Sequence, residues 1–185
     1  MTPQQDKKKT DITPDAELMK RVRRGEEGAF ADLIRRHQNS LVNFFMRMGV
    51  YDNAKDLAQE TFIRLFKYRK RYRKKAKFTT FLYLMARQVR IDYIRREARR
   101  KTAMEDLALE SEIRHEQKPR RREGARIDIE ETLAQLPEDT RSVIVMNMYQ
   151  GLRYRDIAAA LGVPIGTVKS RMFNGLRKLK ELMKQ

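Results

Sequence analysis

The stretch DIAAALGVPIGTVKSRMF, residues 156–173, has the pattern of two short helices separated by a break. Its first part, 156–161, is small and apolar, and the tripeptide GVP at 162–164 interrupts the helical pattern. Gly162 can adopt the positive φ that often ends a helix, and Pro164 lacks an N–H that the first turn of a helix does not need. The spacing therefore predicts a helix, a tight turn and a second helix that begins at the proline or directly after it.

The second of these helices carries a polar and basic face. Ile165, Val168 and Met172 are predicted to pack inward, which leaves the hydrogen-bonding side chains pointing outward. These outward side chains are Thr167, Lys169, Ser170, Arg171 and Asn174. Such a helix fits the major groove of DNA, where these side chains can donate to base edges and phosphates. A plain helical hairpin with a solvated basic face is the alternative, and the basic chain around the motif favours DNA binding.

The charge of the whole chain favours a polyanionic partner. Its 185 residues include 42 Lys and Arg against 25 Asp and Glu, which gives a net charge of +17. Such an excess indicates nucleic acid first and an anionic membrane surface second. Residues 64–101 alone contain 16 Lys and Arg and two acidic residues, so +14 of the charge lies in this segment. The positive charge is therefore concentrated in one part of the chain.

Several classes of function are not expected from the residues present. The chain has no Cys, and its two His, His37 and His115, are far apart in sequence. We therefore predict no disulfide, no metal site, no cofactor and no His-based catalytic triad, and a reducing, cytoplasmic location. The N-terminus lacks the apolar core of a signal peptide, and no run of about 18 apolar residues predicts a membrane-spanning helix.

The pattern along the chain predicts an all-α fold of two small helical domains joined by a charged linker. Helical periodicity extends over 14–24, 26–48, 52–68 and 78–100, and the C-terminal part contains the helix-turn-helix. We assign residues 1–12 to a disordered tail, 13–100 to a first domain, 101–127 to the linker and 128–185 to a second domain. The linker is acidic over 105–116, basic over 118–126 and poor in apolar residues.

Two predicted helices of the first domain have recognisable apolar positions. Asp52 is a plausible N-cap for the 52–68 helix. The apolar stripe of that helix is Ala54, Leu57, Ala58, Thr61, Phe62, Leu65 and Phe66. The polar side chains on its other faces are largely those of Asp56, Gln59, Glu60 and Arg64. The core candidates of the 78–100 helix are Phe81, Leu82, Leu84, Met85, Val89, Ile91 and Ile94.

Three segments in this order resemble a sigma factor of the sigma-70 family, in its extracytoplasmic-function group. DLAQETFIRLFKY at 56–68 is similar to the helix by which that family binds core RNA polymerase. FTTFLYLMARQVRIDYIRR at 78–96 is similar to its promoter-melting, −10-reading helix. The segment from Leu133 to Leu179 is similar to its −35-reading domain. The resemblance implies a protein without catalysis of its own that lends promoter recognition and strand opening to bacterial RNA polymerase.

The resemblance also implies roles for individual residues. It assigns contact with core polymerase to Asp56, Gln59 and Glu60. It assigns contact with the −10 element to Tyr83, Gln88, Arg95 and Arg96, with Tyr83 supporting an unpaired base and Gln88 reading one. Gln88 stands where many relatives have Asn, and Phe81 stands where many have Trp. The preferred −10 sequence can therefore differ from that of those relatives. It assigns contact with the −35 element to Thr167, Lys169, Ser170, Arg171, Phe173 and Asn174.

The resemblance leaves the role of the linker undecided and implies one further partner. The linker would lie near the RNA-exit path of polymerase, where its acidic part acts as a nucleic-acid mimic or the whole segment is a plain tether. An anti-sigma factor is a further partner that the family implies. A conventional helix-turn-helix regulator is the alternative function, and it would explain 133–179 but not the pattern over 56–96. A nuclease is less favoured because the carboxylates that would bind its metal are scattered.

Overall fold

The computed structural model describes residues 14–72, 77–108 and 129–183, and the regular elements in these ranges are all helical, which confirms the all-α prediction. The α-helices are α1 (Asp15–Arg23), α2 (Glu27–Arg47), α3 (Ala54–Lys67), α4 (Phe78–Ala108), α5 (Ile129–Ala134), α6 (Glu138–Ile144), α7 (Tyr154–Leu161) and α8 (Ile165–Leu182). A 3-10 turn, Arg69–Arg71, follows α3, and a π-helical segment, Val145–Tyr149, continues α6. No helix in the described ranges is both long enough and apolar enough to cross a bilayer.

The first two helices end just before a glycine as their sequence predicts, but the predicted N-cap of α3 is wrong. Gly25 and Gly49 have φ of 94° and 81° and follow α1 and α2, as the pattern predicts. The assignment of Asp52 as the N-cap of α3 is wrong, because Asn53 occupies that position. The amide of Asn53 donates to the Tyr93 hydroxyl over 2.8 Å instead of capping the helix, so this side chain ties α3 to α4.

Helix α4 continues eight residues beyond its predicted end at 100. The segment predicted as linker, 101–127, therefore begins as helix as far as Ala108. The rest of that segment, like the predicted tail at 1–12, lies outside the described residues. The division of the chain into domains at these boundaries remains a prediction.

The core of the N-terminal helices is formed by the stripe predicted for α3 together with aromatic residues of its neighbours. Six members of that stripe are buried and Phe66 is half-buried. The ring centroids of Phe44 and Tyr83 lie 5.3 Å apart, and those of Phe30 and Phe62 lie 6.4 Å apart. These contacts join α2 to both α3 and α4, so the exposed faces of α3 and α4 are held by one core.

Helix α4 buries only part of the set that its sequence suggested. Leu82 and Val89 are fully buried, and Phe81, Met85 and Ile91 are half-buried. Leu84 and Ile94 were predicted to lie in the core, but they are 39% and 37% exposed. Apolar residues occur on several faces of this helix, and the stripe through positions 82, 86 and 89 is the one that packs against α2 and α3.

The helix-turn-helix forms as predicted. Helix α7 ends at Gly162, which has φ 66° and ψ 32°, and α8 begins directly after Pro164. Val168 and Met172 are buried beneath the turn, as expected. The inward placement of Ile165 is wrong, since it is 47% exposed in the first turn of α8, where it precedes the buried stripe.

The N-terminal and C-terminal helices contact one another through a polar cluster. Arg90 of α4 is 6% exposed, and its Nη1 lies 2.8 Å from Oε1 of Glu138 on α6. The backbone carbonyl of Met48 accepts from Nε of Arg90 at 3.0 Å and from Nη1 of Arg141 at 3.1 Å. Burial lowers the pKa of both arginines, and Glu138 opposes that decrease. We call Met48, Arg90, Glu138 and Arg141 the seam.

Candidate nucleic-acid interface

Helix α3 presents a polar face opposite its buried stripe. Asp56 and Gln59 are exposed, and Glu60 is half-buried. Ile63 lies on the same face and is 41% exposed, although an apolar residue of this size is more often covered. Positions 56, 59, 60 and 63 follow the i, i+3, i+4, i+7 spacing of one helix face. The three residues predicted to contact core polymerase therefore share one surface, to which Ile63 adds an apolar side chain.

The spacing of the sequence could have indicated that the side chain of Ile63 lies on the polar face of α3. It falls outside the apolar stripe of its helix and is aligned with the acidic positions, so the sequence alone placed it on the polar face. The residues predicted for that face were all polar, and Ile63 was not among them.

A chain of polar contacts connects the faces of α3 and α4. Nε of Arg64 donates to Glu60 at 2.8 Å, and Nη1 of Arg64 donates to Asp92 at 2.5 Å. The other oxygen of Asp92 accepts from Nε2 of Gln88 at 3.0 Å. Hydrogen bonding to Arg64 is the main reason that the pKa of Asp92 is lowered, and hydrogen bonding to Asp92 is the main reason that the pKa of Arg64 is raised. Nothing in the spacing of the sequence predicts that Asp92 and Arg64 meet.

Tyr83 does not lie where its predicted role requires it. It is 2% exposed and packs against Phe44 in the core. Burial raises the pKa of its hydroxyl. A ring enclosed in this way cannot stack on an unpaired base, so we correct the expectation for Tyr83 and assign it to the core.

The other residues predicted to face the −10 element lie on the surface of α4. Gln88, Arg95 and Arg96 are exposed. Leu84, one turn before Gln88, is also exposed and lies on the same side of the helix. This surface therefore combines one apolar side chain, one amide and two guanidinium groups along a single helix.

Helix α8 exposes most of its predicted reading face. Lys169, Ser170, Phe173 and Asn174 are exposed, and Phe173 is 68% exposed despite its apolar ring. Thr167 is half-buried, and its backbone carbonyl accepts from the hydroxyl of Ser170 at 3.0 Å.

Arg171 differs from the other residues of that face because it has an acidic partner. Its Nη2 lies 2.6 Å from Oδ2 of Asp139, and the side chain is 26% exposed. The other oxygen of Asp139 lies 3.5 Å from Nη2 of Arg87 on α4. One carboxylate thus contacts an arginine from each of the two candidate reading helices.

Two segments of the chain match models of one protein family. Residues 33–100 match the family model of sigma-70 region 2, and residues 126–179 match that of sigma-70, region 4. This chain belongs to the sigma-70 family. Helix α3 and most of α4 fall in region 2, and α5, α6, α7 and most of α8 fall in region 4.

Relatives of known function agree with that assignment. The chain is 31% identical over 171 residues to the RNA polymerase sigma-H factor of Pseudomonas aeruginosa, covering 86% of this chain and 88% of the relative. It is 30% identical over 169 residues to the extracytoplasmic-function sigma-E factor of Escherichia coli K12, with the same two coverages. The sigma factor is therefore of the extracytoplasmic-function type, and it directs core RNA polymerase to promoter DNA. The prediction of a sigma factor over a conventional regulator is confirmed.

Solved structures share the fold. CnrH, in complex with the cytosolic domain of CnrY, matches with a TM-score of 0.69 at 22% identity, over 92% of this chain and 97% of that one. RpoE of Bartonella quintana, in complex with the anti-sigma factor NepR, matches with a TM-score of 0.68 at 23% identity, over 84% and 96%. At this level of identity the likeness concerns the arrangement of helices.

Proposed function

We propose that this sigma factor docks on core polymerase through the outward face of α3, reads the −10 element with the exposed face of α4, and reads the −35 element with α8. The observation that carries the proposal is the surface of 56, 59, 60 and 63, where three side chains are exposed and Glu60 is half-buried, opposite the buried stripe of α3. This face bears two carboxylates next to the most basic segment of the chain, so it suits a basic partner surface. Ile63 adds apolar contact that charge alone does not supply.

Helix α4 would then meet the promoter where its strands separate. Arg95 and Arg96 neutralise phosphates, and Gln88 offers an amide to an unpaired base. Leu84 replaces Tyr83 as the side chain that an unstacked base would meet, because Leu84 is exposed and Tyr83 is buried. An apolar side chain inserted at a base step is an established way to support unstacking.

Helix α8 would read duplex DNA at the −35 element. Lys169, Ser170, Asn174 and Phe173 are available on its surface, and Phe173 suits contact with a thymine methyl group. Arg171 can join them only after it leaves Asp139. The assignment of Arg171 to DNA therefore includes a rearrangement of this ion pair.

The proposed partners also imply where the protein works and that it does not catalyse a reaction. A protein that acts on core polymerase and promoter DNA works in the bacterial cytoplasm and has no catalytic step of its own. The two solved structures named above are complexes, of CnrH with the cytosolic domain of CnrY and of RpoE with the anti-sigma factor NepR. An anti-sigma factor is therefore a partner that we propose for this chain as well.

The docking face can be tested by charge reversal. Asp56→Lys together with Glu60→Lys should weaken binding to core polymerase at least tenfold, measured by competition with the labelled parent, and leave helicity unchanged in circular dichroism. Glu17→Lys with Asp32→Lys is the matched control, since it makes the same charge change on α1 and α2. If the double variant at 56 and 60 competes as well as the parent, the face is wrongly assigned.

A further inference from the structure

The amide of Gln88 is held in one orientation by a neighbour on its own helix. Gln88 and Asp92 are four residues apart on α4, and Nε2 of Gln88 donates to Oδ1 of Asp92 at 3.0 Å. An ionised carboxylate has acceptors and no donor, so it can hold only the NH2 end of an amide. The carbonyl oxygen of Gln88 therefore points away from Asp92.

Asp92 is itself fixed by a cation from α3. Arg64 donates to Oδ2 of Asp92 and, through a different nitrogen, to Glu60. Arg64 is 24% exposed and Asp92 is 32% exposed, so the pair is sheltered from solvent on part of its surface. The guanidinium favours the ionised form of Asp92 and lowers its pKa. The carboxylate that orients Gln88 thus stays an acceptor over the neutral pH range.

This arrangement limits what Gln88 can recognise. A glutamine without such a partner can rotate its terminal amide and present either the oxygen or the NH2 group. With the NH2 group directed to Asp92, the end that faces the solvent is an acceptor. Adenine and cytosine carry amino groups at N6 and N4, where guanine and thymine carry the carbonyl oxygens O6 and O4. When the base presents this edge, an outward carbonyl oxygen accepts from the amino group of adenine or cytosine and is repelled by the carbonyl oxygen of guanine or thymine.

We propose that Asp92, held by Arg64, is a positioning residue that sets base preference by directing the carbonyl oxygen of Gln88 toward the promoter strand. The unpaired base accepted there is adenine or cytosine. The inference rests on the proposed function, in which the exposed face of α4 meets the separated −10 strand. It adds the chemical identity of the base and two residues, Asp92 and Arg64, that make no contact with it.

The base itself provides the first test. Holoenzyme is assayed on templates already opened by mismatches, with each −10 position carrying A, C, G or T in turn. We expect one position that prefers adenine or cytosine and loses its preference in Gln88→Ala. Replacing that base by purine or 2-pyrimidinone, which lack the amino group, should weaken binding roughly threefold to tenfold, as for one lost hydrogen bond. Equal binding of the analogue, or a preference for guanine or thymine at that position, overturns the proposal.

Removing the carboxylate provides the second test. In Asp92→Asn the new amide can donate as well as accept, so the amide of Gln88 can turn over. The ratio of binding between amino and carbonyl bases should then fall toward one. Asp32→Asn is the matched control, because it removes a carboxylate that is paired with Arg35 on α2, and it should keep the parental ratio. A parental ratio in Asp92→Asn contradicts the proposal.

The outcomes separate this inference from the function on which it rests. If the parent and core polymerase open promoters but ignore the amino group, the inference alone fails. If they open no template at all, the proposed function fails and the inference falls with it. The analogue experiment uses the unchanged protein, so a folding defect in Asp92→Asn would not remove the test.

Discussion

At Gly175 the neighbouring helix leaves no room for a side chain. A Cβ at this position of α8 would lie 2.5 Å from Cγ2 of Thr140 and 2.6 Å from Cδ1 of Ile144, both on α6. Carbon atoms in proteins do not approach so closely without displacement. The contact between α6 and α8, which supports the reading helix, thus depends on the absence of a side chain.

Two glycines in one helix allow a stability test. Gly175→Ala should lower the free energy of unfolding by about 1–3 kcal/mol, as expected for overpacking. Gly166→Ala is the control, since nothing lies within 4 Å of its Cβ position. There the helix preference for alanine should leave stability unchanged or raise it by up to about 1 kcal/mol. Urea unfolding followed by circular dichroism measures both, and a Gly175→Ala protein as stable as the parent would refute the packing argument.

Among the elements, those with a single apolar face were predicted best. The stripe of α3 and the turn at Gly162 follow directly from spacing and glycine conformation. Helix α4 was harder, because apolar residues lie on several of its faces, and spacing alone does not say which face a neighbour covers. Leu84 was therefore placed in the core and Tyr83 on the surface, and the structure reverses both.

The sequence predicted which residues share a helix face in the candidate site, but it did not predict which residues contact one another between helices. The acidic face of α3 and the basic face of α8 are periodic in the sequence, so their residues could be named. The bonds from Arg64 to Asp92 and from Arg171 to Asp139 join residues 28 and 32 positions apart, and only the packing of the helices brings them together. The roles assigned to the residues on these faces remain predictions.

The whole molecule is held in a closed arrangement by the seam and by Asp139. This carboxylate contacts Arg87 of α4 and Arg171 of α8, so the two helices proposed to read DNA meet at one side chain. The −10 and −35 elements lie about 25 base pairs apart, which is roughly 85 Å at about 3.4 Å per base pair. If α4 and α8 read these two elements as proposed, helices that share one carboxylate cannot span this distance, so we expect the seam to open before the promoter is read.

Opening of the seam can be followed by energy transfer. The chain has no Cys, so Gln38→Cys and Arg155→Cys, both at exposed positions, give one label on α2 and one on α7. We expect efficient transfer in the free protein and a large decrease when core polymerase is added. The same labels on the variant reversed at Asp56 and Glu60 should keep efficient transfer. Unchanged transfer in the polymerase complex would show that the domains do not separate.

Selection of promoters by this chain can be measured by run-off transcription. Purified chain and core polymerase are incubated with a library of fragments from the genome that encodes the chain. We expect transcripts with defined starts, each preceded by the same −10 and −35 sequences, that are absent with core alone. Starts that share no upstream elements, or no transcripts beyond those of core alone, would contradict this expectation.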